Sequence, residues 1–511
     1  MNRLASFFEV LGAALLIGVT LGLVEGLVAT PQIGEPLVGR LLGVGLIDVL
    51  VLGLIGCLAG VVAALLPRRR AVGTWARVAA LLPLVVAGLI AFGVAQNRST
   101  LDAELEGSLT HEQPLPRLVS EDGGAIVLIT LDTLRPDALE SMPRLAARTA
   151  SARRYQRAHS NAPWTLPAMA SLQTGVSVHE HGAGARVPGQ GNHVRAPMDD
   201  SLDTLATKLA DRGYVSAAIV TNPYLGVRYG FHEGFDRFHD LARRSQLNLA
   251  LRRTFLLRLV LEPFLDTAAA TTELALDQWP QMSAGRSLLW VHYIDAHAPY
   301  HADGWVPGTP CELPSCFEDW AAVRKGAEVE DRERVRALYE EDLARLDSAV
   351  DALLEEVIAD GVLVVLTADH GEEFWDHGGV EHGNGFHEEV VRVPLFVWGA
   401  GEGAVDRHVD LVGVHGALLS WADRRDLGPL EPGGPDAMTP MASLLFGEEA
   451  SACTDGHTKW LAEGRYDLDE DPGEHDLLAP EAVACLPGPL PAYEGELGDD
   501  LSVLRSLGYV E

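Results

Sequence analysis

The apolar positions change character along the chain. In the first hundred residues they form long unbroken runs, roughly Leu11–Leu27, Leu41–Leu66 and Val78–Val94. A helix needs about 20 mostly apolar residues to cross a bilayer. The pattern therefore predicts three transmembrane helices in a membrane module over residues 1–97. From residue 124 the runs shorten and alternate with amphipathic stretches. Ala125–Leu131, Val215–Val220, Leu288–Ile294 and Val362–Leu366 read as buried strands of a parallel sheet. Leu202–Leu209, stopped by Asp211-Arg212-Gly213, reads as a helix. So does the stretch where Val335, Tyr339, Leu343, Leu346, Val350, Leu353 and Val357 step by four and three. Strands separated by helices imply an α/β domain, mostly parallel, with helices on both faces of the sheet. This unit covers 124–400. After Gly401 the periodicity breaks into short alternating runs among Pro and Gly, which predicts a small α+β subdomain over 401–511. Residues 98–123, polar and acidic, read as a linker.

Charge adds a direction to this plan. The chain carries −33, but residues 1–100 hold seven Arg and four acidic residues, a net of +3, so the remainder carries −36. So acidic a surface argues against a nucleic-acid partner. Arg3 precedes the first apolar segment, and Arg68, Arg69, Arg70 and Arg77 lie between the second and third. Positive charge marks the cytoplasmic side. Three crossings then put everything after Asn97 outside the cytoplasm of a bacterial-type inner or plasma membrane. A cleaved signal peptide is the rival reading of the first segment; the other two would still anchor the chain. Asp48, near the start of the second segment, reads as interfacial. Cys57 falls in a membrane segment. Cys311 and Cys316 are favoured as a small-loop disulfide, and Cys453 with Cys485 is a second pairing; four cysteines allow three connectivities. Their spacing is poor for a zinc ribbon.

Candidate chemistry gathers at strand ends. The fourth strand runs into Asp369-His370-Gly371-Glu372, the first into Asp132-Thr133, and the third into Asp295-Ala296-His297-Ala298-Pro299-Tyr300. Open α/β sheets bind ligands at this edge, and carboxylates beside imidazole suit a divalent cation. Between the first two strands lies Pro163-Trp164-Thr165-Leu166-Pro167, continuing to Gly175. Pro167 and Gly175 frame a short helix. Thr165 would stand just before its N-terminus, where N–H donors and the positive dipole end can hold a hydroxyl and an anion. A further histidine, His382, follows in Glu381-His382-Gly383-Asn384-Gly385.

Taken in order, these motifs resemble the sulfatase / alkaline phosphatase superfamily over nearly all of residues 124–511. Ile129–Asp137 resembles its first metal loop. Pro163–Pro167 with Leu172–Gly175 resembles its nucleophile motif. His297–Tyr300, Asp369–Glu373, Glu389 and Arg392–Leu395 resemble later blocks, and Tyr466–Leu468, Asp471–Glu474 and Leu504–Tyr509 its C-terminal subdomain. The resemblance implies an alkaline-phosphatase-like α/β sandwich. It implies a divalent metal (Zn, Mn, Ca or Mg) held by Asp132, Asp369 and His370, with Thr165 as fourth neighbour. His297 and His382 would bind anionic oxygens, protonate the leaving oxygen, or hold a second metal, with Asp295 orienting His297 or joining that second site. Glu372 and Glu373 read as supporting or capping groups, Arg135 as a loop salt-bridge partner, and His377 and His181 as bridges between loops.

The departures are as informative. Sulfatases make formylglycine from Cys or Ser in a Cys/Ser-x-Pro-x-Arg motif. Here Thr165 and Met169 occupy those positions, so no formylglycine is expected; Thr133 stands where a second metal carboxylate often follows the first. A Thr nucleophile is similar to that of lipoteichoic acid synthases, phosphoethanolamine transferases and nucleotide pyrophosphatases/phosphodiesterases. The first two also hang an exterior domain from N-terminal membrane helices. The twelve-residue spacing from His370 to His382 resembles the phosphoethanolamine transferases. The expectation is a membrane-anchored, metal-dependent hydrolase or transferase of phosphate or sulfate esters outside the cytoplasm. Its helices would contact membrane lipids, and a lipid or glycan ester is a candidate substrate. The alternatives are a sulfuric ester hydrolase without formylglycine, and a catalytically degenerate scaffold of the envelope.

Overall fold

The computed structural model describes residues 109–112, 124–187, 195–242, 267–298, 300, 329–427, 438–442, 449–481, 485, 486, 488 and 490. The three long apolar segments, Cys57, Cys311 and Cys316 lie outside them. Among the described residues no helix is long and apolar enough to cross a membrane.

In chain order the strands are β1 (Leu109–Glu112), β2 (Ile126–Leu131), β3 (Arg153–His159), β4 (Val215–Val220), β5 (Arg237–Asp240), β6 (Ser287–Tyr293) and β7 (Leu363–Ala368). Then come β8 (Glu373–Phe374), β9 (Val380–Glu381), β10 (Leu395–Trp398) and β11 (Gly403–Asp410). Nine of them form one sheet in the order β1-β5-β4-β6-β2-β7-β10-β3-β11, while β8 and β9 pair as a separate hairpin. The four strands expected from apolar runs are β2, β4, β6 and β7, and they are parallel to their neighbours among themselves. Every residue in them is buried, which requires a sheet covered on both faces. The sheet is mixed at its flanks: β10 runs antiparallel to β7 and β3, and β1 antiparallel to β5. Strand β1 falls inside the stretch read as linker.

The helices are α1 (Pro143–Arg148), α2 (Thr165–Thr174), α3 (Val178–His181), α4 (Leu205–Ala210), α5 (Thr267–Met282), α6 (Val329–Val357), α7 (Glu388–Val391) and α8 (Leu411–Arg424). Helix α6 packs on α5 and α1, and α8 on α2 and α4. The expected stripe of α6, Val335 to Val357, is buried. Strand β11 and helix α8 lie beyond Gly401 yet join the large sheet and its covering helices.

A second, antiparallel sheet follows, in the order β12 (Thr439–Ala442), β13 (Ser451–Thr454), β14 (Thr458–Leu461), β15 (Arg465–Asp467). A disulfide joins Cys453 of β13 to Cys485, Cα atoms 6.0 Å apart. Lys459 of β14 is buried between Glu388 Oε1 at 2.7 Å and Glu474 Oε1 at 3.0 Å. His159 Nε2, at the end of β3, lies 3.1 Å from the same Glu388 oxygen. Burial works to raise the Glu388 carboxyl, but Lys459 and His159 outweigh it and hold it well below the usual carboxylate range.

Candidate active site

The C-terminal ends of β2, β4, β6 and β7 and the start of α2 deliver the functional side chains to one place. Asp132 follows β2, Asn222 follows β4, Asp295 and His297 follow β6, and Asp369 and His370 follow β7. Thr133 binds three of these ends together from a left-handed backbone, φ 57°, a conformation rare for a β-branched residue outside functional sites. Its N–H donates to Asp369 Oδ1 at 3.2 Å and its hydroxyl to Ala296 O at 3.0 Å. Gly371 is needed for the same closeness: a Cβ there would lie 2.1 Å from Glu389 O.

Thr165 is the first residue of α2, with Trp164 as the cap, one step further in than its expected place just before the helix. The whole helix is buried, and it stops at Gly175 in a left-handed conformation. Thr165 Oγ1 lies 3.3 Å from His370 Nε2 and 3.3 Å from Asn222 Nδ2. His370 Nδ1 donates to Gly371 O at 2.8 Å, leaving Nε2 as a lone pair. That atom lies 3.4 Å from Asp369 Oδ2 and 3.7 Å from Asp132 Oδ1.

Ligand atoms of Asp132, Asp369 and His370 all fall within 4.8 Å of one another, and all three residues are buried. Among the described residues Asp132 Oδ1 and Asp369 Oδ2 have no hydrogen-bond partner. Two buried carboxylate oxygens and an imidazole lone pair aimed at one point fit a divalent cation. The protonation pattern agrees. Burial, then the charge of Asp132, pushes the Asp369 carboxyl well above the usual range. Burial also works to raise Asp132, but His297, His292 and His370 outweigh it and hold that carboxyl low. Burial and neighbouring His382 push His370 down to about 3, so it is neutral, the form a metal needs.

The two other expected histidines are here as well. The His382 ring sits 4.3 Å from that of His370 and 4.9 Å from that of His297. His382 Nδ1 donates to Glu372 Oε1 at 3.0 Å, and Tyr300 donates to Glu372 Oε2 at 2.8 Å. Burial pushes Glu372 up to about 7. Asp295 Oδ1 accepts from Ala268 N at 2.9 Å, in the first turn of α5. Arg135 pairs with Asp137 and Asp376, each at 2.8 Å, and donates to Glu372 O at 2.9 Å, so it pins the loop after β7.

Glu373 accepts from the backbone N–H groups of His377 and Gly379. His181 joins Ser171 to Ala183. His377 brings Nδ1 to 2.6 Å from Glu389 and Nε2 to 3.1 and 3.2 Å from the carbonyls of Gly473 and Glu474. Its ring stacks on His387 with centroids 3.7 Å apart. His377, His387 and Glu389 also converge, but with both His377 nitrogens engaged they act as a joint between loops.

Two site residues were not singled out from the sequence. Asn222 Nδ2 donates to Asp132 Oδ2 at 2.7 Å as well as to Thr165. His292 of β6 lies 3.2 Å from the same Asp132 oxygen. The signal for Asn222 was available, since Thr221-Asn222 closes β4 as the other polar pairs close their strands. His292 gave none, being one polar position within an apolar run.

The sulfatase family model matches residues 125–422. The chain belongs to the sulfatase family. Solved structures share the fold. A candidate sulfatase from Bacteroides thetaiotaomicron VPI-5482 has 16% identity and TM-score 0.53, over 70% of this chain and 88% of that one. The phosphonate monoester hydrolase SpPMH from Silicibacter pomeroyi has 17% and 0.53, over 70% and 90%. BT1596, a 2-O GAG sulfatase, has 16% and 0.52, over 70% and 87%. No curated protein sequence matches the chain. As a sulfatase-family member the protein is an ester hydrolase of the sulfatase / alkaline phosphatase superfamily. This sulfatase-family site carries Thr165, and no arginine, where formylglycine and its motif would stand.

Proposed function

We propose that this protein is a membrane-anchored, metal-dependent hydrolase or transferase in which Thr165 attacks a phosphate or sulfate ester outside the cytoplasm. The observation that carries this reading is the position of Thr165 Oγ1: at a helix N-terminus, 3.3 Å from His370 Nε2 and beside the converging Asp132 and Asp369. Asp132, Asp369 and His370 would hold the cation, with Thr165 as a further neighbour. Bound there, a divalent cation lowers the hydroxyl pKa and neutralises charge on the transferring group.

The chain's own groups do the rest. Asn222 orients the Thr165 hydroxyl through its amide. Thr165 loses its hydroxyl proton to water, and its Oγ forms a bond to phosphorus or sulfur as the bond to the leaving oxygen breaks. His382, anchored by Glu372, or His297 beside it gives that oxygen a proton. Water or a second alcohol then takes the group from Thr165. Met169 and the absence of Cys or Ser at position 165 favour phosphorus over sulfur. The Cys453–Cys485 disulfide supports an oxidising, exterior compartment, in keeping with the three apolar segments before it.

The test is Thr165→Ala against Thr165→Ser in the full chain, assayed on aryl phosphate, phosphodiester and sulfate esters. Losing a covalent nucleophile raises the barrier by roughly 4 kcal/mol or more. The Ala variant should therefore be inactive but still bind metal, and the Ser variant partly active. Mass spectrometry of stalled enzyme should find Thr165 carrying the transferred group. Near-normal turnover by Thr165→Ala overturns the mechanism.

A further inference from the structure

Asp132 is held from behind by a chain of hydrogen bonds whose direction is set at its far end. Trp290 Nε1 lies 3.1 Å from Thr130 Oγ1, Thr130 Oγ1 lies 2.8 Å from His292 Nδ1, and His292 Nε2 lies 3.2 Å from Asp132 Oδ2. The members sit on the adjacent strands β2 and β6, where Thr130 is in register with His292. All four are shut off from solvent.

An indole N–H can only donate, so Thr130 Oγ1 accepts at that contact. The hydroxyl keeps one proton, and among the described residues its acceptor is His292 Nδ1. That nitrogen therefore presents a lone pair, and the ring proton sits on Nε2, which donates to Asp132. The result is an imidazole whose hydrogen-bond direction is fixed at both nitrogens. The same Asp132 oxygen also accepts from Asn222 Nδ2 at 2.7 Å. With Oδ2 occupied twice, the carboxylate cannot rotate freely, and the oxygen left over is Oδ1, which has no hydrogen-bond partner among the described residues.

We infer that Trp290, Thr130 and His292 form a one-way donor chain that locks Asp132 with Oδ1 facing the cation, making His292 a positioning residue for metal binding. Partners that orient a ligand in this way are typically worth 10- to 100-fold in metal affinity. The inference rests on the proposed metal cradle of Asp132, Asp369 and His370.

The experiment uses the full chain, with Mn2+, Ca2+ and Zn2+ titrated in turn by calorimetry and the tightest ion taken forward. His292→Phe removes the donor and is expected to weaken that ion roughly 10- to 100-fold. His292→Gln keeps an N–H donor and is expected to recover most of the loss, which a merely structural role would not predict. If His292→Phe fails to fold, nitrogen NMR of histidine-labelled protein carries the test. The His292 signals, identified by their absence in His292→Gln, should show a bare Nδ1 and a protonated Nε2 in metal-free protein. A protonated Nδ1, or a His292→Phe variant binding the ion as tightly as the parent, overturns the inference. Failure of the parent chain to bind any of the three ions overturns the cradle, and the inference with it.

Discussion

Asn222→Ala separates a site that works from one that only looks assembled. The side-chain amide donates to the Asp132 carboxylate at 2.7 Å and to Thr165 Oγ1 at 3.3 Å. A hydrogen bond to a charged acceptor contributes about 1.5–3 kcal/mol, and a long bond to a hydroxyl about 0.5. Asp132 keeps its bond from His292, so part of the first contribution survives. A net loss of about 2–3 kcal/mol corresponds to roughly a 30- to 150-fold fall in kcat/KM, at 1.36 kcal/mol per factor of ten. Asn222 also accepts from Tyr224 N at 2.9 Å, so alanine loosens the turn after β4 as well. Asn222→Ser controls for this, since its hydroxyl can still accept from that turn but is too short to reach Asp132 and Thr165 together. The assay is kcat/KM on the best aryl ester, with metal content and thermal unfolding measured alongside. Both variants should lose rate even at saturating metal, and bind the ion more weakly, because Asp132 Oδ2 loses one of its two donors. If Asn222→Ser matches the parent rate, the amide is only a turn cap, and the orientation assigned to Thr165 is wrong.

Further outcomes follow from the same geometry. Asp369→Asn should lose the cation without unfolding, because an amide cannot replace the missing charge; full metal content by elemental analysis would remove Asp369 from the ligand set. Metal affinity should rise with pH, because burial and Asp132 raise the Asp369 carboxyl and its proton must leave when the cation enters. Calorimetry in buffers of differing ionisation heat would show that release, and an affinity flat from acid to neutral pH would contradict it. Lys459→Met strands Glu388 and Glu474 in the interior without their cation. Breaking a buried pair in this way costs about 3–5 kcal/mol; a change under about 1 kcal/mol in denaturant unfolding would mean the network contributes little to the fold.

What the sequence made legible tracks how thoroughly each element is buried. Strands β2, β4, β6 and β7 are covered on both faces, so their residues are uniformly apolar and stand out. Strands β3 and β11 lie at one flank, partly exposed; Arg-Arg-Tyr-Gln-Arg-Ala-His carries no apolar run and was passed over. Strand β10 is four residues long, too short for a period to show. In the site, Asp132, Thr165, Asp369 and His370 were legible because local motifs surround them. Asn222 closes β4 with a polar pair but sits in no recognised motif, and His292 acts through Asp132, 160 positions away, which no local pattern encodes. Asp295 also anchors the first turn of α5 through Ala268 N, a contact 27 residues away that no local motif announces.

The central position of β2 has a consequence for how the protein reaches its native state. Its two neighbours are β6 and β7, so the contacts that complete the site join residues such as Thr133 and Asp369, 236 positions apart. Closing such long loops comes late and slowly in folding. A fragment that stops short of β7 cannot bring Asp132, Asp369 and His370 together. A cation that binds this trio therefore recognises only the finished sheet and stabilises it by mass action. A rise in melting temperature with added metal becomes a direct gauge of the finished population, readable before any substrate has been found.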